Sequence, residues 1–94
     1  MALYLISYDI SEKDAAEYQP LWDLLKKIGA VKILYSEWVV LAGANEAGDI
    51  YNRIAPLTKP PDRLLVQEMG MNAAWDKLLI SDEAFRKLAR SARF

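Results

Sequence analysis

Leu3-Tyr4-Leu5-Ile6-Ser7-Tyr8-Asp9-Ile10 decides how the rest of the chain is read. Aliphatic and aromatic residues fill nearly every position, without the apolar–polar alternation of a strand that has one wet face. The stretch therefore predicts a central strand covered on both sides. It ends in one carboxylate, Asp9, ahead of a polar run from Ser11 to Tyr18. A carboxylate in that position either caps the following loop by accepting from its amides or begins a functional site.

Outward from this strand, Ser11 with Asp14 three residues on resembles a weak capping box. Pro20 fits the first turn of a helix, and Leu21, Leu24, Leu25 and Ile28 follow it at i, i+3, i+4 and i+7 spacing. Gly29 is the expected left-handed stop. Residues 30–42 predict two strands joined tightly near Tyr35-Ser36-Glu37. In the first, Val31, Ile33 and Tyr35 share one face and Lys32, Leu34 and Ser36 the other, with Lys32 marking an edge. The second, through Trp38-Val39-Val40-Leu41, is apolar on both faces. Asn45 is the expected N-cap of a helix through Ala47, Ile50, Ile54 and Leu57, weakened by Gly48 and ended near Pro56. Thr58 to Asp62 is a loop, and Arg63 to Met69 a second edge-like strand closed by Gly70.

This β-α-β-β-α-β order is that of the ferredoxin-like split βαβ unit. The fold class is α+β, with a four-stranded antiparallel sheet in the order 4-1-3-2. That topology puts the first and third strands at the centre, and they are the two whose residues are apolar on both faces. Residues 1–70 form this domain and residues 71–94 a C-terminal helical extension. Two helices cover one face of the sheet, so the second face needs the extension, packed on its own or a partner subunit, or else a second copy of the chain. Within the extension, Asn72 is expected to cap a turn containing Trp75, Leu78 and Leu79. Ser81 caps a last helix with Phe85, Leu88, Ala89 and Ala92 on one stripe.

The chain has 94 residues, enough for one domain. Twelve Lys+Arg against thirteen Asp+Glu leave a net charge of −1, which argues against a general electrostatic grip on duplex DNA. Arg86, Lys87, Arg90 and Arg93 form the one basic concentration. They are candidate nucleic-acid contacts, or simply complements to a helix C-terminus. The absence of Cys and His excludes disulfides, thiolate and imidazole metal sites, and Ser-His-Asp or Cys-His catalysis. Chemistry would fall to Asp, Glu, Lys, Arg, Tyr or Ser, with an oxygen-ligated ion. Asp9 is the candidate ligand, and through the ion the candidate catalytic residue, for Mg²⁺ or Mn²⁺. Ser7 shares its face, and Glu12, Asp14 and Glu17 either add to the site or form a solvated loop. Tyr4, Tyr8, Trp22, Tyr35 and Trp38 suit stacking on single-stranded nucleic acid or packing in a core, and the lack of interleaved cations in the first strand favours the core. No apolar run reaches ~18 residues and no signal peptide is evident, so the expectation is a cytoplasmic protein without a membrane partner.

The first strand, Leu5-Ile6-Ser7-Tyr8-Asp9-Ile10, resembles the opening strand of the small CRISPR-associated adaptation protein. The helix end from Leu24 to Gly29 and the hairpin Leu34-Tyr35-Ser36-Glu37-Trp38 also fall where that family has theirs. The match is nearest to its uncharacterised SinR-like branch and covers about the first seventy residues. After Asp9 the chain departs from the family's Asp- and Arg-rich continuation. The resemblance implies a ferredoxin-like fold, a symmetric homodimer and a place in nucleic-acid handling. Its leading implication is a scaffold or interaction protein without strong catalysis, with nucleic acid or an integrase-like protein as partner. A second implication is a metal-dependent endonuclease, for RNA or DNA, in which Asp9 is paired across the dimer. A small-ligand sensing module is a third reading, since the fold hosts many functions.

Overall fold

The computed structural model describes residues 1–10, 15–70 and 72–92, with the side chains of 15 and 16 excepted. Its elements are β1 (Ala2–Asp9), α1 (Ala15–Lys27), β2 (Val31–Leu34), β3 (Glu37–Ala42), α2 (Ala47–Ile54) with a 3₁₀ turn over Ala55–Leu57, β4 (Arg63–Glu68) and α3 (Asp82–Ser91). The sheet runs β2-β3-β1-β4 with antiparallel neighbours, the ferredoxin-like order expected from the polarity of the strands. The Ser11–Asp14 cap lies outside the described residues.

Strand alternation divides β1 between two cores. Tyr4, Ile6 and Tyr8 join Trp38 and Val40 of β3 under Tyr18, Leu21 and Leu25 of α1 and Ile50 and Ile54 of α2. Leu3 joins Ile33, Val39 and Phe85 on the opposite face, with Leu5, Leu41, Trp75 and Leu78 packed around them. The aromatic residues of the strands are core: Tyr4, Tyr8 and Trp38 are buried.

Their hydroxyls are placed as closely as their rings. The Tyr4 hydroxyl donates to the Gly43 carbonyl at 2.7 Å and accepts from the Glu46 amide at 2.9 Å. The Tyr8 hydroxyl accepts from both indoles, Trp38 at 3.0 Å and Trp22 at 3.2 Å. Tyr18 donates to the Asp62 carboxylate at 2.9 Å, and that carboxylate also accepts from the Lys59 amide at 2.8 Å. Such bonds satisfy groups that burial would otherwise leave without water.

Four local expectations change. Pro20 lies inside α1 and does not open it. So early in a helix its missing N–H forfeits one backbone bond, which the buried Tyr18, Leu21 and Leu25 outweigh. Asn45 has φ 61 and turns the chain in the left-handed region, leaving Glu46 at the N-cap of α2. The Glu46 carboxylate caps nothing in α2 and accepts from the Gly43 amide at 2.6 Å. Tyr35 lies in the β2–β3 turn and is 82% exposed, since a register irregularity between Lys32 and Leu34 breaks the alternation just before it. No helical turn forms after Asn72. Trp75 and Leu78 reach the second core from irregular chain, with Lys77 left-handed at φ 57.

Two helix ends are as expected. Gly29, at φ 86, closes a Schellman motif in which its own amide donates to Lys26 at 3.1 Å and the Ala30 amide to Leu25 at 2.9 Å. Ser81 caps α3, its hydroxyl accepting from the Ala84 amide at 3.1 Å. The chain from 72 to 92 folds back over the second face of its own sheet. Phe85 is its buried anchor, and the Leu79 amide donates to the Ile33 carbonyl on the edge strand β2 at 2.8 Å. No helix among the described residues is long and apolar enough to cross a membrane.

Candidate functional site

Among the described residues, the C-terminal segment packs on the second face around Leu3, Val39 and Ile33, while Leu34 and Leu65 toward the Asp9 end stay exposed. The pairing registers define what lies there. Leu34 of β2, Glu37 of β3, Ser7 of β1 and Leu65 of β4 stand in one row across all four strands. Leu34 and Leu65 are exposed, at 42% and 53%. Between them the Ser7 hydroxyl donates to Glu37 Oε2 at 3.0 Å. The next pair outward is Asp9 opposite Arg63, where Arg63 Nη1 donates to Asp9 Oδ2 at 3.2 Å. Both side chains are largely in water, so this pair contributes at most about 1 kcal/mol to stability. A shallow groove of ≈ 180 Å³ runs beside it, lined by Ser7, Tyr8, Asp9, Arg63, Leu64 and Leu65.

Asp9 is thus at the carboxyl end of a central strand, accessible, and already holding a cation. A hard divalent ion takes several oxygen ligands. Among the described residues, no group of three or more carboxylates gathers in a way that would hold one. Glu17 is ion-paired with Lys59, while Glu12 and Asp14 lie outside the described residues. Among the described residues of a single chain Asp9 thus offers one carboxylate, one of whose oxygens accepts from Arg63, and a Mg²⁺ or Mn²⁺ ion there would take its other ligands from water, a phosphate or a second copy.

The basic group splits. Arg86 and Arg90, one helical turn apart on α3, both line a second cavity of ≈ 260 Å³ at the far end of the same face. The Arg86 guanidinium lies 5.7 Å from the centre of the Trp75 ring. Lys87 is exposed but not part of that lining, and Arg93 lies outside the described residues.

Sequence reading missed Glu37, Arg63 and Leu65 as members of the Asp9 end. Each is unremarkable along the chain, and only the register sets it beside Ser7 or Asp9. Asp62 was missed similarly: it looks like a loop residue, and nothing local announces that it holds the buried Tyr18 hydroxyl. No protein-family model matches the chain.

Proposed function

We propose that this chain is a non-enzymatic ferredoxin-like interaction protein that works as a homodimer, as its resemblance to the CRISPR adaptation subunit implies. Its two copies meet through the open Asp9 end of the second sheet face, and the assembly serves as a scaffold for nucleic acid or for an integrase-like protein. The observation that carries this reading is the row Leu34–Glu37–Ser7–Leu65 with the Asp9–Arg63 pair beside it. Two exposed leucines flank a hydrogen-bonded polar centre, and the adjoining charges compensate one another. Leu34 and Leu65 supply the apolar surface of a self-complementary two-fold contact, and the Glu37 carboxylate, bonded to the Ser7 hydroxyl but not neutralised by it, stays hydrated between them. A small domain also gains more than a large one from burying further apolar surface. The accessible placement of Asp9, held by Arg63, supports a recognition role over a desolvated catalytic one.

Light scattering across concentrations tests the reading. The wild type runs as a dimer and Leu65→Asp as a monomer with an unchanged circular dichroism spectrum. A wild type that stays monomeric at about 100 μM, where even a weak dimer with micromolar Kd would form, sinks it. The non-enzymatic half is tested separately with labelled RNA and DNA in Mg²⁺ or Mn²⁺. Cleavage that disappears in a folded Asp9→Ala variant overturns it and establishes the endonuclease instead.

A further inference from the structure

The cavity at the other end of the second face is chemically unlike the Asp9 groove. Leu3, Phe85 and Ala89 supply hydrocarbon, Trp75 closes one side, and Arg86 and Arg90 bring two guanidiniums. Phe85 is buried and meets the Trp75 ring edge-on at 4.6 Å between centroids, so the aromatic wall is braced. Ala89 contributes only a methyl group to the lining from α3. Arg86 and Arg90 are exposed while lining it, which puts both charges at its mouth. The ion pairs among the described residues are Lys59–Glu17 and Asp9–Arg63, so neither arginine of the mouth is committed to one. Asp82 and Glu83 lie nearby on the same helix and share an outer hollow with the two arginines. Asp82 is engaged by the Trp75 indole N–H at 3.2 Å.

We infer that this cavity binds a small amphipathic carboxylate, its alkyl or aryl body against Leu3, Phe85 and Ala89 and its anionic head between Arg86 and Arg90. A single guanidinium can hold a carboxylate by two parallel N–H···O bonds, and a second beside it adds a further charge-assisted donor. The remaining lining offers an apolar body little to hydrogen-bond, which selects against polar ligands of the same size. The volume lies just under the roughly 300–1,000 Å³ of drug-sized sites, so the ligand is a small one. A nucleic-acid strand needs cations spaced along a track. Here two cations one helical turn apart line one compact cavity and share an outer hollow with two carboxylates, and the Trp75 face is already met by Arg86.

The test follows the Trp75 indole N–H of the full chain by NMR during titration with octanoate, with octanol as the uncharged match in length. Octanoate is expected to shift that resonance saturably, with octanol at least about tenfold weaker, the worth of a charge-assisted contact. Arg86→Gln with Arg90→Gln, both at exposed positions, should weaken octanoate about tenfold or more while the rest of the spectrum stays put. Ala89→Phe fills the cavity and should abolish the shift with both arginines present. Equal affinity for octanol and octanoate overturns the inference, as does unchanged binding in the double variant or no shift up to ~5 mM octanoate. A Trp75 shift produced by a single-stranded oligonucleotide and not by octanoate also overturns it and assigns the arginines to nucleic acid.

Discussion

On the α1–α2 side of the sheet, three buried tyrosines each carry their hydroxyl to a named partner: Tyr4 to Gly43 and Glu46, Tyr8 to two indoles, Tyr18 to Asp62. On the α3 side the buried residues are Leu3, Ile33, Val39 and Phe85, which carry no polar side-chain atom. The first face is therefore fixed by directional bonds as well as by packing. The second is held by hydrocarbon contact, a capped helix and one backbone bond from Leu79 to the edge strand. Hydrogen-bonded cores admit one arrangement, whereas hydrocarbon contact alone tolerates several. The hydrocarbon-held face is also where the open features lie, with the Asp9 groove at one end and the arginine-lined cavity at the other.

The comparison breaks most readily by deleting core atoms on the firm side. Ile6→Ala, at a fully buried position beneath both helices, is expected to cost about 4 kcal/mol in urea unfolding, in the upper part of the range for such truncations. Phe85→Ala removes more atoms but should cost only about 3 kcal/mol, because the irregular segment around it can settle into the space. A loss from Phe85→Ala clearly exceeding that from Ile6→Ala would reverse the ranking of the two faces.

Tyr4→Phe isolates the directional part. It keeps the ring and removes the hydroxyl, leaving the Gly43 carbonyl and Glu46 amide without their partner, and should cost about 1–2 kcal/mol. Hydrogen exchange should then speed at the start of α2 and leave α3 unchanged. No change in stability would mean that the hydroxyl contacts do not distinguish the faces. The smallest effect is expected from Arg63→Ala, which opens a pair that is mostly in water and should shift stability by less than about 0.5 kcal/mol. A larger loss would make the open end part of the fold's own support.

Much of the fold was legible because central strands in this topology must be apolar on both faces, and only β1 and β3 are. The helix stop at Gly29 and the cap at Ser81 were legible because each depends on a few neighbouring residues. Asn45 was misjudged since Asn serves equally as a helix cap and in a left-handed turn. Tyr35 was misjudged because alternation fails at the irregularity between Lys32 and Leu34. The candidate site was half visible. Asp9 stood out by its place at a strand end, and the arginines by their clustering, but their partners did not.

By itself the sequence determined most of the buried residues, the kind and order of the elements, and which strands lie at the centre of the sheet. Periodicity and local turn chemistry act over a few residues, and the apolar content of β1 and β3 leaves one arrangement that buries them. Only the tertiary structure decided that the chain covers its own second face, that Asp9 meets Arg63, and that Arg86 and Arg90 converge on an apolar cavity while Lys87 does not. Those outcomes depend on register and on where an irregular segment docks, in which residues far apart in sequence meet. Their local surroundings carry no record of the partner.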